Sequence, residues 1–390
     1  MARRGLADSR LVAKQRMSRG ERASLLTAAG VMIALWALSG AFALENARRH
    51  DYLNMYTGAT LALNGEWGRL HDIEAQLAVE RLYVPNLQDL VPYVRPHFHA
   101  FALAPLALLS FGTAFWAWIA IQAALYCGFG IWATKRFGLE SLVFWSLFAP
   151  GALSIAHGQD APVLLAVIGA GYVLAERGRL TLAGLVWSLA LMKFHLCLGL
   201  LLALLVGRQW KVLAGFAAGG LGLAVFSVGL AGRQGAVHYI SMLTNKNLER
   251  LSPGPQQMTD IQGVMANLGI GSLWFALAAG ALTLALLVRA AWKAPLTRVL
   301  SAGLAGGLFL VPHTYLYDTT ALLLPLLLAV QPGQPKPLRL AAFALIAPIV
   351  PLMALFEPPI SVAPALALFA FLAALAFSAH QLEPDQVPTS

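Results

Sequence analysis

Apolar runs of about 18 or more residues with few charges recur along the whole of this chain. Folded as a helix, a run of that length matches the roughly 30 Å hydrocarbon core of a bilayer. Inside lipid the backbone must bond to itself, which leaves only α-helices and closed barrels. A barrel would alternate apolar and polar residues in segments of about ten, and such segments are not seen. The fold class expected is an all-α polytopic membrane protein. Composition agrees, because only 12% of residues are charged where a soluble domain carries about 25%. The net charge of +9 would raise nucleic acid as a partner of a soluble protein. Here the positive residues collect between apolar runs, where they set orientation, and the partner expected is the bilayer, with no nucleic acid. Cys127 and Cys197 both lie in apolar runs and read as small buried hydrophobes rather than a disulfide or a metal site. No metal or other cofactor is implied.

The first span is placed at 23–44. "SGAFA" at 39–43 has the small residues of a signal cleavage site, but the run is long for a signal and more spans follow, so an uncleaved anchor is expected. Further spans are placed at 114–134, 139–156, 161–175, 180–192, 194–207, 211–231, 269–290, 296–311, 319–331, 337–354 and 360–378. The expectation is thus a bundle of about twelve transmembrane helices, within a range of about 10–13. It forms one membrane domain over 23–379 between cytoplasmic tails 1–22 and 380–390. The outer loops are 45–113 and 232–268, and the first is expected to hold short juxtamembrane helices. Segment 98–110 reads as a short helix at the outer surface or a half-span. Segments 180–192 and 194–207 are each too short to cross as straight helices, so they are two short spans or one broken element. Of the 27 Lys and Arg, 18 fall on the side holding the N-terminus and 9 on the other, most of these in the two long loops. Long loops weigh little in the positive-inside rule, so the N-terminal side is expected to be cytoplasmic.

Polar residues at membrane depth are costly and mark function by default. In this topology they gather on the outer side: "RRHDY" at 48–52, "RPHFH" at 95–99, "HGQD" at 157–160, "MKFH" at 192–195 and "PHTYLYD" at 312–318. Charge alone fixed the orientation, yet all five come out together, which predicts one composite outer site. Each residue also has a plainer reading. Asp160 and Asp318 precede helices they could cap. His97, His99, His157, His195 and His313 could bond to backbone at the interface, and Tyr52, Tyr56, Tyr93 and Tyr315 fit an aromatic belt. Lys193 is harder to set aside, because a lysine near mid-span costs about 2.5–3.5 kcal/mol and calls for an anion or for snorkelling to the surface. Asp51 lies just past the first span, with Arg48 and Arg49 supplying positive charge beside it.

The ordered set resembles glycosyltransferase family 87, a GT-C-type family of membrane enzymes that use polyprenyl-phosphate sugars and include α-mannosyltransferases. The resemblance runs over roughly residues 40–330. It is carried by the Asp51-Tyr52 pair after the first span, "YTGATLALNG", "LAPLALLSFGTAFWAWIAIQ", the Gly-Gln of "HGQD", the lysine of "MKFH" and the late "PHTYLYD". The chain departs from the family at Phe194, where the family has proline after lysine, and at His71-Asp72, where it has a Tyr-Asp-like pair. The resemblance implies a GT-C-like bundle in the cell (inner) membrane, with the site facing the periplasm or exterior. It implies inverting transfer of a hexose, mannose-like, from a polyprenyl-phosphate donor to a hydroxyl on a glycan, glycolipid or other acceptor. Asp51 matches the general base by position. Lys193, Arg95, His97 and His313 are expected at the donor phosphate, and Gln159, Asp160, Tyr317, Asp318 and Asp72 at sugar or acceptor. The alternative is a multi-span transporter or lipid flippase, which would bind near mid-membrane between internal repeats.

Overall fold

The computed structural model describes residues 18–49, 51–87, 89–245, 254–255 and 258–378, and of residues 38–49 the backbone alone. The tail expectations for 380–390 and for most of 1–22 lie outside these residues, as do His50 and the side chains of Arg48 and Arg49. The described chain is helical. Its nearest approach to a strand is an isolated antiparallel bridge between Met258 and Tyr315.

Among the described residues, five helical runs are by length and composition apolar enough to cross a membrane: Phe111–Phe137, Leu180–Val206, Trp210–Leu243, Leu273–Ala291 and Ile360–Phe377. A sixth candidate is the pair Lys336–Ile346 and Ile349–Leu355, bent by 52°. Other expected spans appear as shorter apolar helices, Ala161–Glu176, Leu296–Leu310 and Leu316–Ala329. At 1.5 Å per residue, 16 residues rise only about 24 Å, less than the bilayer core. The expected span 139–156 is two short helices, Glu140–Leu147 and Ala149–Ala156, parted at Phe148 just before Pro150. Proline lacks the N–H that would continue the ladder. The chain is a helical membrane protein, and among the described residues five or six long apolar helices, with shorter ones between them, stand where about twelve spans are expected.

The run Leu180–Val206 settles one alternative. A straight helix would hold Gly184 and Gly207 about 35 Å apart. The Val212 carbonyl packs on the Cα of Gly184, with no room for a Cβ, and the five residues from 207 to 212 reach at most about 18 Å. The chain therefore folds back, and the break is at Lys193, whose backbone (φ −119°, ψ 63°) is not helical. The first arm lies along Trp210–Leu243, Thr181 and Gly184 meeting Gly215 and Val212. The second packs on Leu296–Leu310 through Gly199, Gly303 and Gly307, where small residues let the backbones touch.

This fold-back gathers the loops at two ends. Residues 95–99, 157–160, 193 and 314–318 share one end. Residues 136, 176, 298, 331–334 and 375 share the other. The expected first outer loop is largely helical: Asp51–Leu63, Ile73–Tyr83 and His97–Leu103 form a packed cap. Tyr52, Tyr56 and Tyr93 are buried in that cap rather than spread in a belt. Tyr52 and Tyr56 pack against Phe111. Buried Gln76 ties the cap together by donating to the Leu70 and Tyr93 carbonyls and accepting from the Tyr93 N–H. Of the two cysteines, Cys197 is buried as expected, whereas Cys127 is exposed on its helix.

Candidate active site

Asp51 opens the first turn of the helix Asp51–Leu63. Both of its carboxylate oxygens are engaged. His157 Nδ1 lies 3.2 Å from Oδ2, and Gln159 Nε2 donates to Oδ1 at 3.0 Å. The two partners reach the same carboxylate because Gly158 between them adopts φ +67°, a left-handed turn that glycine makes freely. Trp118 Nε1 pins that turn by donating to the Gly158 carbonyl at 2.7 Å. The Asp51 side chain keeps 24% of its surface exposed and His157 keeps 44%, so the pair stands at the rim of the cluster, open to a ligand.

Behind the rim lies a buried ion network. Asp160 is completely buried and takes a forked pair of hydrogen bonds from Arg95, Nε at 3.0 Å and Nη2 at 3.2 Å. Lys193 Nζ lies 2.9 Å from Asp160 Oδ1 and also pairs with Asp318. His99 Nε2 is 3.6 Å from Asp160. Burial alone would raise the Asp160 pKa, but the charges of Arg95 and Lys193 outweigh it and hold the carboxyl well below its usual range. Tyr317 lies under Lys193, its ring centroid 5.5 Å from Nζ.

Asp160 occupies the position before its helix but its side chain makes no cap. Asp318 does both jobs, accepting from the Tyr315 N–H at 3.0 Å while pairing with Lys193. Lys193 is 2% exposed. The anion that its depth calls for is supplied by Asp160 and Asp318, so it is not a free cation waiting for a phosphate. Arg95 is likewise committed to Asp160.

Three expected site residues fall outside this network. Asp72 caps Ile73–Tyr83, accepting from the Ala75 N–H at 2.9 Å. That bond uses Oδ1 and leaves Asp72 apart from the ion network. His97 turns toward Trp67, whose carbonyl lies 3.2 Å from Nε2, and stacks edge-on against His71. Burial lowers the His97 pKa, so its ring is neutral rather than cationic. His313 has a left-handed backbone (φ +65°) and a buried Nδ1 without a partner.

Two contributors were passed over by the sequence reading. His157 belongs to the "HGQD" piece of the expected outer site, with an interfacial role as its plainer reading, but no catalytic or binding role is assigned to it from the sequence. Asp260 had no signal beyond its loop. It is buried and accepts from the N–H groups of Gly263 at 2.8 Å and Thr314 at 3.0 Å. With the Thr259 N–H donating to the Thr314 carbonyl at 2.7 Å, it ties segment 258–263 to the strand-like start of 314–318.

An apolar groove of about 360 Å³ ends beside the network. It is lined by Pro96 and His97, next in sequence to Arg95, and by Leu191 and Phe194, which bracket Lys193. The far wall comes from Trp210–Leu243.

Comparison with curated proteins and with solved structures yields no match. Residues 93–312, more than half of the chain, match the family model described as Glycosyltransferase family 87. That segment contains Arg95, Gln159, Asp160 and Lys193, while Asp51 and Asp318 lie beyond its limits. The chain belongs to glycosyltransferase family 87, and its activity is glycosyl transfer.

Proposed function

We propose that the protein is a GT-C-type hexosyltransferase of the cell membrane that uses a polyprenyl-phosphate sugar, mannose-like, as donor. The site faces the periplasm or exterior, and the acceptor is a hydroxyl of a glycan, glycolipid or similar molecule. The observation that carries this reading is the Asp51 carboxylate, held by His157 and Gln159 at an open rim in front of a buried, charge-balanced network.

Asp51 takes the proton of the acceptor hydroxyl as its oxygen attacks the anomeric carbon. The bond from that carbon to the phosphate oxygen breaks, and polyprenyl phosphate leaves with the electron pair. One displacement inverts the anomeric centre. Gln159 and Tyr317 face the sugar, and Asp160 and Asp318 are positioned for it by Arg95 and Lys193. His313, with an unpaired Nδ1, is free to donate to the leaving phosphate. The apolar groove beside Lys193 accommodates the isoprenoid chain, which places the phosphate next to the cluster.

The test is transfer from a synthetic polyprenyl-phosphate hexose in liposomes. A positioned general base is worth about 10²–10⁴-fold. Asp51→Asn is expected to lose turnover on that scale while keeping its melting temperature. Turnover within a few-fold of the parent would remove Asp51 from the role of base.

A further inference from the structure

The opposite end of the bundle holds a second built site. An open cavity of about 520 Å³ is lined by the ends of Phe111–Phe137 and Ala161–Glu176, the start of Leu296–Leu310 and the turn at 331–334. Arg298 lines it and is 4% exposed. One of its nitrogens, Nη2, donates to the carbonyls of Leu375 and Ser378 at the end of the last helix. This is the plain structural role of a cation at a helix C-terminus. It leaves Nε and Nη1 buried without partners.

No carboxylate among the described residues pairs with Arg298. Glu176 is the one acid lining the cavity, and it is already taken: Arg136 Nη2 donates to it at 2.6 Å and the Tyr172 hydroxyl at 3.0 Å. A buried charge with unmet donors is costly unless an anion completes it. Gln334 Oε1, on the same cavity, is a buried acceptor without a donor. The two unmet needs are complementary to a phosphate ester that also carries a hydroxyl: the anion for the guanidinium, the O–H for the amide. Lys135, Arg177, Lys336 and Arg339, close in sequence to lining residues, add positive charge to this end, the pattern by which basic pockets between membrane helices hold lipid headgroups.

We infer that the cavity around Arg298 and Gln334 binds an anionic phosphate ester with a neighbouring hydroxyl, of the phosphoglycerol type, at the end of the molecule away from the glycosyl-transfer site. The inference is independent of the donor and acceptor proposed above.

The full-length protein in neutral detergent is mixed with phosphatidylglycerol, phosphatidylcholine or glycerol 3-phosphate. Melting is followed by tryptophan fluorescence and retained ligand by native mass spectrometry. Phosphatidylglycerol is expected to raise the melting temperature and stay bound, and phosphatidylcholine to do neither. Stabilisation by glycerol 3-phosphate alone would support the site with a soluble ester as its ligand. Stabilisation by the lipid only would support a headgroup. Gln334→Glu puts a negative charge on the wall of the cavity, where it repels an anion and removes none of the Arg298 hydrogen bonds to the last helix. Arg298→Lys keeps a cation at the helix end but removes the forked donors. Each variant is expected to weaken binding at least about tenfold. Equal responses to the two lipids, or full retention of binding in either variant, would overturn the inference.

Discussion

Lys193 shows how a residue's partners change its meaning. From its depth alone it called for an anion, and the lipid phosphate was the natural candidate. In the fold its charge is met by Asp160 and Asp318, so its role is to hold those carboxylates in place. Removing one partner of a buried ion pair leaves the other uncompensated, at a cost of about 3–5 kcal/mol. Lys193→Met is therefore expected to lower the melting temperature markedly and to reduce turnover with little change in KM for the lipid donor. An unchanged melting temperature with a raised donor KM would return Lys193 to the phosphate. The sequence located Asp51, Gln159, Asp160, Tyr317 and Asp318 by residue type and sidedness. It did not distinguish them from Asp72, because a carboxylate before a helix looks the same whether it bonds its own helix end or a lysine 33 residues away, as Asp160 does with Lys193.

At the scale of elements, the cap over the site carries its own pH dependence. Glu80, on the helix Ile73–Tyr83, accepts from the Val91 N–H at 3.0 Å, while its Oε1 is buried without a partner. Burial pushes its pKa up to about 7 despite that hydrogen bond. The folded cap thus keeps a proton that the unfolded chain releases near the ordinary glutamate value. The contribution of Glu80 to stability is therefore present below about pH 4.5 and is lost as pH rises through about 7. Hydrogen exchange of amides 73–93, corrected for intrinsic rate, is expected to show Glu80→Gln protecting the cap more than the parent at pH 8 and about equally at pH 5, which separates Glu80 from the buried His71, His97 and His99 of the same cap. Equal protection of parent and variant at pH 8 would remove Glu80 from that role. Between helices the sensitive points are glycines at backbone crossings. A Cβ on Gly184 would overlap the Val212 carbonyl, and backbone cannot step aside as a flexible side chain can. Gly184→Ala is expected to cost about 1–3 kcal/mol, read as earlier melting in detergent, whereas the same change at Gly222, which has open space around it, should be neutral.

At the scale of the whole molecule, the fold-back at Lys193 fixes which loops share a face. Residues 177 and 208 then lie at one end and residue 157 at the other. In a background with Cys127 and Cys197 replaced by alanine, single cysteines at Arg177 and Arg208 are expected to resist a membrane-impermeant thiol reagent in intact cells. One at His157 should react. Opposite labelling of positions 177 and 208 would mean that Leu180–Val206 crosses as one straight helix. Apolar length alone leaves this segment open between two short spans and one broken element, because it counts residues and carries no information about a reversal. The same limit explains the short helices elsewhere: hydropathy marked where 139–156 and 337–354 are apolar, but not the bends at Phe148 and near Ala347.

By itself the sequence determined that this is a helical membrane protein, that its reactive residues collect on one side, and that it belongs with the glycosyltransferases of family 87. Those properties are set by composition, by the period of apolar runs and by motif order, all of which are linear. Tertiary structure alone decided that Asp51 meets His157 and Gln159, that Lys193 and Arg95 are neutralised by Asp160 and Asp318, and that Arg298 is left with unmet donors on a cavity at the far end. Pairing is a matter of distance in space, and a charge acquires its role from the partner that packing brings within reach.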